Sequence, residues 1–147
     1  MKTMKNKRAS ENMYNQFREY FSFPCVDLVI FKRKRVLLTK REINPYKGFW
    51  HLPGTIIRRN EKIEHAVKRA AKSELNVNGK IKNYVGCFES INKFRHDISL
   101  GFIVSIQNDS KIKTDFQSTD IEFYEKLPKK IPLHHKQIIV KARKYFK

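Results

Sequence analysis

The order of apolar and polar residues predicts three helices separated by two groups of strands. Near the start, apolar side chains recur at helical spacing after Ser10, a candidate N-cap, and this helix ends before Pro24. Its apolar positions are Met13, Phe17, Tyr20 and Phe21. Two apolar runs, at residues 25–31 and 36–41, then enclose the basic turn KRKR, which is typical of a β-hairpin.

The rest of the chain repeats this alternation of helices and strands. A helix is predicted from Asn60 to Leu75, with an apolar face formed by Ile63, Ala66, Val67, Ala70 and Ala71. Strands are predicted near residues 80–90, 96–106 and 120–126. A last helix is predicted from Pro132 to Phe146, and its expected inward residues are Leu133, Ile138, Ile139, Ala142 and Phe146. The pattern indicates a mixed α/β domain in which helices cover a sheet.

Two acidic residues occupy positions where apolar side chains are expected. At about 100° per residue, Glu74 projects roughly 20° from Ile63, within the apolar face of the central helix. A buried carboxylate needs a cation, a cluster of donors or a metal, so Glu74 either has such a partner or lies in solvent beyond a frayed helix end. Asp27 interrupts an apolar strand, either as a buried acid facing a cleft or as a cap at the strand end.

Length and composition indicate one domain. With 147 residues and 40% hydrophobic residues, the chain can bury a sizeable core, and we expect a disordered basic leader at residues 1–9 and a single domain at 10–147. No apolar run approaches the ~20 residues of a membrane-spanning helix, and the basic start lacks the apolar segment of a signal peptide. We therefore expect a cytoplasmic protein with no membrane partner. Cys25 and Cys87 are too few for a disulfide framework and are expected to be buried thiols.

The charge narrows the class of partner. Thirty-two Lys and Arg residues against fourteen Asp and Glu give a net charge of +18, which attracts polyanions such as nucleotides, phosphosugars or nucleic acid. Lysines far outnumber arginines, however, and this excess could instead reflect a genome-wide or thermal bias in composition. Nucleic acid is therefore a candidate partner that the sequence does not favour.

The loop GFWHLPG and the helix after it resemble the Nudix box, whose pattern is G-x5-E-x7-R-E-U-x-E-E-x-G-U, with U a large aliphatic residue. Glu61, Arg69, Glu74 and Val77 match the pattern in order, and Thr55 takes the place of the first glycine. Three positions depart from it: Ala70 and Ser73 replace glutamates, and Asn76 replaces a glycine. The resemblance extends over nearly the whole chain and implies a Nudix-type α/β/α sandwich around a mixed β-sheet.

Several segments are most similar to one Nudix branch, the GDP-mannose mannosyl hydrolases, which lack the same two glutamates. VDLVIF and LLTKR place Asp27 and Arg41 at that branch's catalytic-site aspartate and arginine. INPYKGFWHLPG is similar to its N-x-P-x-x-G-Y-W-x-x-P-G-G loop, and HDISLGF aligns His96 with a histidine of its H-Y-x-x-L-G-F strand. Gln117 falls at a glutamine metal ligand, and Ser118 replaces the branch's general-base histidine.

This resemblance implies Mg²⁺-dependent hydrolysis of GDP-mannose or GDP-glucose to GDP and sugar, by attack of water at sugar C1. The Mg²⁺ ligands, with Mn²⁺ as an alternative ion, would be Glu74, the Gly54 carbonyl and Gln117. Arg41 would neutralise the diphosphate, and Asp27 would orient the sugar or assist the leaving side. Arg69 is also a candidate for substrate binding, although an ion pair with Glu61 that ties the helix to its loop explains it better.

The general base stays open because a serine at position 118 cannot act as one unaided near neutral pH. His96 or His51 could take over, or the cation-like transition state could need little help from a base.

Two other functions are compatible with the sequence. One is cleavage of the diphosphate of another nucleoside diphosphate derivative, with Glu64 or Glu89 as base. The other is a catalytically inactive module that binds nucleotide or RNA. The resemblance also includes a homodimer as an analogy.

Overall fold

The computed structural model describes residues 7–44, 46–107, 112 and 118–146, with the backbone alone at residues 118 and 119. In this part of the chain the elements are α1 (Glu11–Tyr20), β1 (Phe23–Val29), β2 (Phe31–Lys32), β3 (Arg35–Arg41), β4 (Trp50–His51), β5 (Gly54–Ile56), α2 (Ile63–Leu75), β6 (Gly79–Ile91), β7 (His96–Ile106), β8 (Ser118–Tyr124) and α3 (Leu133–Ala142), followed by a 3-10 turn (Arg143–Tyr145). Most of the predicted leader and the candidate ligand Gln117 lie outside the described residues.

The strands form two four-stranded sheets. The first has the order β5-β1-β7-β6, in which β1 and β7 are parallel and the other neighbours are antiparallel. The second has β3 at its centre, paired with β2, β4 and β8. The first sheet is therefore mixed, and β5 lies at its edge.

Helices α2 and α3 cover opposite faces of the first sheet, because successive side chains of a strand point to opposite faces. Val26, Leu28, Phe102 and Val104 pack with the apolar face of α2. Val29 and Ile103 pack instead with Ile138 and Ile139 of α3. This arrangement confirms the predicted α/β/α sandwich. Within the described part of the chain, no helix has the length and apolar composition needed to cross a membrane.

The first helix is formed as predicted but is not buried. The Ser10 hydroxyl accepts a hydrogen bond from the Met13 N–H (3.3 Å), which confirms the N-cap. No residue of α1 is buried, and the helix meets the sheet through the rings of Tyr14 and Phe17, which pack on Phe23. Met13, Tyr20 and Phe21 remain exposed.

The central helix begins three residues later than predicted and ends where predicted. Lys62 is the N-cap, and Asn76 ends α2 in the left-handed conformation with φ of 57°, which asparagine tolerates better than most residues. Glu74 lies within the last turn and is half-buried. The helix therefore does not fray before Glu74, which removes the alternative of a fully solvated side chain.

The inward face of α3 differs from the prediction. Leu133 and Phe146 are exposed, whereas His134 and His135 are buried together with Ile138, Ile139 and Ala142. His134 and His135 lie four residues before Ile138 and Ile139, so all four share one face of the helix. Leu133 is rotated about 100° away from His134 and therefore points off this face. The prediction chose the more apolar side chain over the correct helical position. Of the two cysteines, Cys25 is buried as predicted, but Cys87 is exposed.

Candidate functional site

The site begins at Gly54, the first residue of the edge strand β5. Gly54 pairs with Asp27 across the antiparallel β1–β5 ladder. The Leu28 N–H donates to the Pro53 carbonyl and the Ile57 N–H to the Pro24 carbonyl (2.8 and 2.9 Å), which makes Asp27 and Gly54 a pair without ladder hydrogen bonds. Both the N–H and the C=O of Gly54 therefore turn away from β1, towards the open edge of the sheet.

Helix α2 directs one carboxylate to this edge. The Gly54 N–H donates to Glu74 Oε2 at 3.4 Å. Because the N–H and C=O of a strand residue point the same way, the Gly54 carbonyl lies on the side that Glu74 occupies. The two family positions without a glutamate do not add a ligand, since Ala70 is fully buried and Ser73 is exposed. Glu74 is thus the acid that α2 contributes beside Gly54.

Asp27 lies against Gly54 on the other face of the sheet, where α3 packs. A Cβ atom at position 54 would collide with Asp27 Oδ1 and with the Val26 carbonyl. Gly54 therefore has to be a glycine for Asp27 to lie there. The carboxylate is 6% exposed. Of the two alternatives for Asp27, the buried acid is correct and the strand-end cap is not.

His135 connects α3 to both Asp27 and the loop before Gly54. The Leu52 N–H donates to His135 Nδ1 at 3.0 Å, and His135 Nε2 lies 3.4 Å from Asp27 Oδ1. Since the lone pair of Nδ1 is used by Leu52, this network assigns the ring proton to Nε2, where it faces the carboxylate. The helix, the loop and strand β1 are joined through one imidazole.

Two further histidines surround this contact, the buried His134 and the half-buried His51, and both have lowered pKa values. Burial lowers the pKa of His51 to about 3, with further contributions from His135 and Arg41. Burial also lowers the pKa of His134 to about 4, and the neighbouring His135 ring, 4.2 Å away between centroids, acts in the same direction. Burial acts to raise the pKa of Asp27, but its interactions with His135 and His134 outweigh burial and hold that pKa below its usual value.

The donors around Gly54 fit a magnesium-type ion, whereas the histidine cluster does not fit a metal. Glu74 and the Gly54 carbonyl offer the oxygen ligands that Mg²⁺ prefers. Donor atoms of Asp27, His134 and His135 lie within 4.8 Å of one another. A metal-bound histidine donates its second N–H to an acceptor, however, and His135 Nδ1 instead faces the Leu52 N–H donor. We therefore interpret these three residues as a hydrogen-bonded and packed support.

Arg69 and Glu61 form the ion pair expected between α2 and its loop. Arg69 Nε and Nη2 donate to the two oxygens of Glu61 (2.7 and 2.9 Å), and Glu61 also accepts from the Arg58 N–H (3.1 Å). The same guanidinium donates to the Thr55 hydroxyl and the Ile56 carbonyl (3.0 and 2.8 Å). With four hydrogen bonds inside the protein, Arg69 holds β5 against α2, and its role in substrate binding stays a prediction.

Arg41 is the last residue of β3 and begins the connection to β4. Its Nε donates to the Ile43 carbonyl at 3.0 Å, and its charge contributes to the lowered pKa of His51. Strand β8 begins opposite Arg41, at Ser118. The Thr39 hydroxyl lies 3.2 Å from His51 Nε2 and fixes that ring under the loop. Arg41 therefore lies at the end of β3, near His51.

The structure does not bring His96 to this site. His96 opens β7 opposite Ile91, whereas Asp27 pairs with Gly101, five residues along the strand. At about 3.3 Å per residue, His96 lies roughly 16 Å along the sheet from Asp27. Its Nε2 instead contacts Glu89 Oε2 at 2.8 Å. His96 and Glu89 therefore form a pair at the far end of the hairpin.

Sequence reasoning thus found Asp27, Gly54 and Glu74, which meet in the structure, and missed His134 and His135. The signal for these two histidines was present, because they lie four residues before Ile138 and Ile139 on the same stripe. Their polarity concealed it.

Comparisons with known proteins identify the relatives of the chain. Residues 22–141 match a family model described as the NUDIX domain. The chain is 34% identical over 119 residues to the ADP-ribose pyrophosphatase of Methanocaldococcus jannaschii, covering 78% of this chain and 69% of that protein. It is 32% identical over 108 residues to the low-salt glycan biosynthesis protein Agl8 of Haloferax volcanii, covering 68% and 69%. Among solved structures, a MutT NUDIX hydrolase from Burkholderia pseudomallei superposes with a TM-score of 0.76 at 18% identity, covering 82% and 98%. The NUDIX domain of Shewanella oneidensis NrtR, crystallised with ADP ribose, superposes with a TM-score of 0.71 at 19% sequence identity. This match covers 95% of the present chain and 100% of the NrtR domain.

Proposed function

Because the chain belongs to the Nudix family, we propose that it is a divalent-metal-dependent hydrolase that releases the sugar from a nucleoside diphosphate sugar by attack of water at sugar C1. One observation carries the proposal: at the edge of the sheet, α2 presents Glu74 to Gly54 without a second carboxylate at position 70 or 73. A helix with one carboxylate can help to hold an ion but lacks the usual family base.

Glu74 and the Gly54 carbonyl are the proposed metal ligands, with Gln117 as a third. Mg²⁺ is the expected ion and Mn²⁺ the alternative, since both take oxygen ligands and share substrate phosphates. When bound, the ion supplies positive charge to the diphosphate leaving group. A site with one protein carboxylate is weak, so we expect the nucleotide to enter together with the ion.

Arg41 is the proposed partner of the diphosphate. A guanidinium pairs with phosphate oxygens in a fork geometry, and Arg41 lies at the end of β3, near His51. Asp27 is buried, so we assign it to holding Gly54 and the loop and not to direct contact with the sugar. Arg69 takes a comparable supporting role.

Attack at C1 is consistent with the bases that the described residues offer. His51, with a pKa of about 3, is a weak proton acceptor, and His96 is distant and paired with Glu89. Departure of a nucleoside diphosphate builds positive charge on the sugar ring, and this transition state needs little from the attacking water. Attack at phosphorus would depend more on the base that Ala70 cannot provide.

The experiment is hydrolysis of GDP-mannose, and in parallel GDP-glucose, with Mg²⁺ in ¹⁸O-labelled water. Attack at C1 gives GDP and mannose with the label in mannose, and attack at phosphorus gives GMP and mannose 1-phosphate with the label in a phosphate. Glu74→Gln should abolish turnover, whereas Glu19→Gln is the control, since Glu19 is an exposed glutamate of α1 to which no catalytic role is assigned. Full activity of Glu74→Gln would show that the metal assignment is wrong.

Diphosphate cleavage is the second candidate, favoured by the 34% identity to an ADP-ribose pyrophosphatase. ADP-ribose separates the two reactions, because its diphosphate is attached to ribose C5 and not C1. It can therefore be cleaved to AMP and ribose 5-phosphate but offers no glycosyl phosphate. Turnover of ADP-ribose with no turnover of GDP-mannose would replace our first proposal. Binding of nucleotides or RNA without any turnover would instead support a non-catalytic module.

A further inference from the structure

We propose that His135 is a positioning residue. It holds the Leu52–Gly54 loop and Asp27 in place, and it thereby fixes the position of the oxygen donors of the metal site. The inference rests on the proposed function, since it concerns the metal site at Gly54. His135 lies on α3, outside the segments that resemble the Nudix box, and does not contact Gly54 or Glu74 through any bond described above.

The first step is the bond to the loop. Only Leu52 and Pro53 separate β4 from β5, so the backbone has little freedom between His51 and Gly54. On one side the Pro53 carbonyl accepts from the Leu28 N–H (2.8 Å), and on the other the Leu52 N–H donates to His135 (3.0 Å). Leu52 is 1% exposed, so its N–H depends on an acceptor within the protein, and the imidazole is that acceptor. Loss of His135 would leave a buried N–H unpaired two residues before the proposed ligand.

The second step is the bond to Asp27. His135 Nε2 lies 3.4 Å from Asp27 Oδ1, and this same oxygen occupies the space that a side chain at position 54 would take. A shift of the carboxylate would therefore be transmitted to the Gly54 backbone. His135 controls the Gly54 carbonyl by two routes, one along the chain from Leu52 and one across the sheet from Asp27.

Burial alone does not explain His135, because its neighbour is equally buried. His134 is 8% exposed and His135 is 7% exposed, but the bond from Leu52 belongs to His135. The pair therefore supplies a matched control: a change at His134 alters packing in the same layer and leaves the bond to the loop in place.

Two substitutions separate the two routes. In His135→Asn, the amide oxygen can occupy the place of Nδ1 and accept from Leu52, but the side chain is too short to reach Asp27. In His135→Gln, the amide N–H can occupy the place of Nε2 and reach Asp27, but the acceptor for Leu52 is lost. The two variants have similar polarity, so a difference between them reports the bond and not general packing.

The test measures Mn²⁺ affinity in the presence of GDP by electron paramagnetic resonance, with thermal unfolding to confirm folding. We expect His135→Ala to weaken Mn²⁺ binding by about tenfold, which is the lower range for residues that orient metal ligands. His135→Asn should recover most of the loss, His135→Gln less, and His134→Asn, which keeps both bonds of His135, should lose clearly less than His135→Ala. If His135→Ala does not fold, the Asn and Gln variants decide, since each lacks one of the two bonds and at least one of them should bind Mn²⁺ more weakly than the wild type.

Equal Mn²⁺ affinity in wild type and His135→Ala, or Asn and Gln variants that both bind as weakly as His135→Ala, would overturn the inference while leaving the metal site intact. An equal loss in His134→Asn would also overturn it, because the effect would then be packing. A wild-type protein that binds no Mn²⁺ with GDP would overturn the metal site itself, and the role of His135 with it. Steady-state kinetics add a second check, since displaced metal ligands should lower kcat more than they raise KM for GDP-mannose.

Discussion

Mild acid should destabilise the protein through His51 and His134, which the fold holds as neutral rings. Their pKa values in the folded protein are about 3 and about 4, against roughly 6.5 in an unfolded chain. Between these limits the unfolded chain binds two protons that the folded protein rejects. Stability is therefore complete above pH 6.5 and is lost as the pH falls towards 4.

The size of the effect follows from the same values. Each histidine that stays neutral in the fold lowers the free energy of unfolding by about 1.4 kcal/mol for each pH unit below 6.5. At pH 5.5 the two rings together remove roughly 3 kcal/mol, a large share of the 5–15 kcal/mol typical of a folded domain. Carboxylates titrate mainly below pH 5, so the histidines dominate this window.

Urea unfolding at pH 7.5, 6.5 and 5.5 measures this loss directly. His134→Gln should halve the slope between pH 6.5 and 5.5, because one proton-binding difference disappears. His65→Gln is the control, since the side chain of His65 is 58% exposed. A free energy of unfolding that stays constant from pH 7.5 to 5.5 would refute the reasoning, because the buried rings would then be protonated at no cost.

Three further predictions concern single positions. Glu61→Gln should lower the free energy of unfolding by about 3 kcal/mol in chemical denaturation, because the Glu61 side chain that pairs with Arg69 is only 2% exposed. A variant as stable as the wild type would show that the ion pair contributes nothing to stability. Gly54→Ala should abolish GDP-dependent Mn²⁺ binding, since its Cβ would displace Asp27; unchanged binding would mean that the close approach is not needed. On α3, Leu133→Lys should change the midpoint of thermal unfolding little, whereas Ile138→Ala should cost about 2–5 kcal/mol, and the opposite ranking would restore the inward face that the sequence predicted.

The sequence predicted the parts of the site that depend on local geometry. The position of Glu74 follows from 100° per residue on one helix, and Asp27 stands out because its neighbours in β1 are apolar. These signals need no knowledge of the rest of the fold. They were sufficient to locate the helix and the strand that meet at the sheet edge, whereas Gly54 was predicted from the resemblance to the Nudix box.

The missing parts depend on contacts between distant segments. His135 lies on α3, and its partner Leu52 lies eighty-three residues earlier, so neither residue identifies the other in the sequence. Hydrophobicity also ranked Leu133 above His134, although a histidine is accommodated in a core where a hydrogen bond or a packed ring receives it. The prediction that Cys87 is buried was wrong because apolar neighbours in the sequence do not specify which face of β6 a side chain occupies.

The parallel pairing of β1 with β7 has a consequence for how the protein is made. Residues 23–29 find their central partner only in residues 97–103, so most of the chain must be synthesised before β1 has a neighbour on that side. Contacts of such long sequence separation slow folding and leave the apolar strand β1 exposed in the nascent chain. Asp27 of β1 and Gly54 of β5 are neighbours in the sheet, and α3, which holds His135, is synthesised after all of these strands. The metal site would then be among the last features to form, so a chain truncated before α3 should accumulate as an aggregation-prone intermediate that binds no metal.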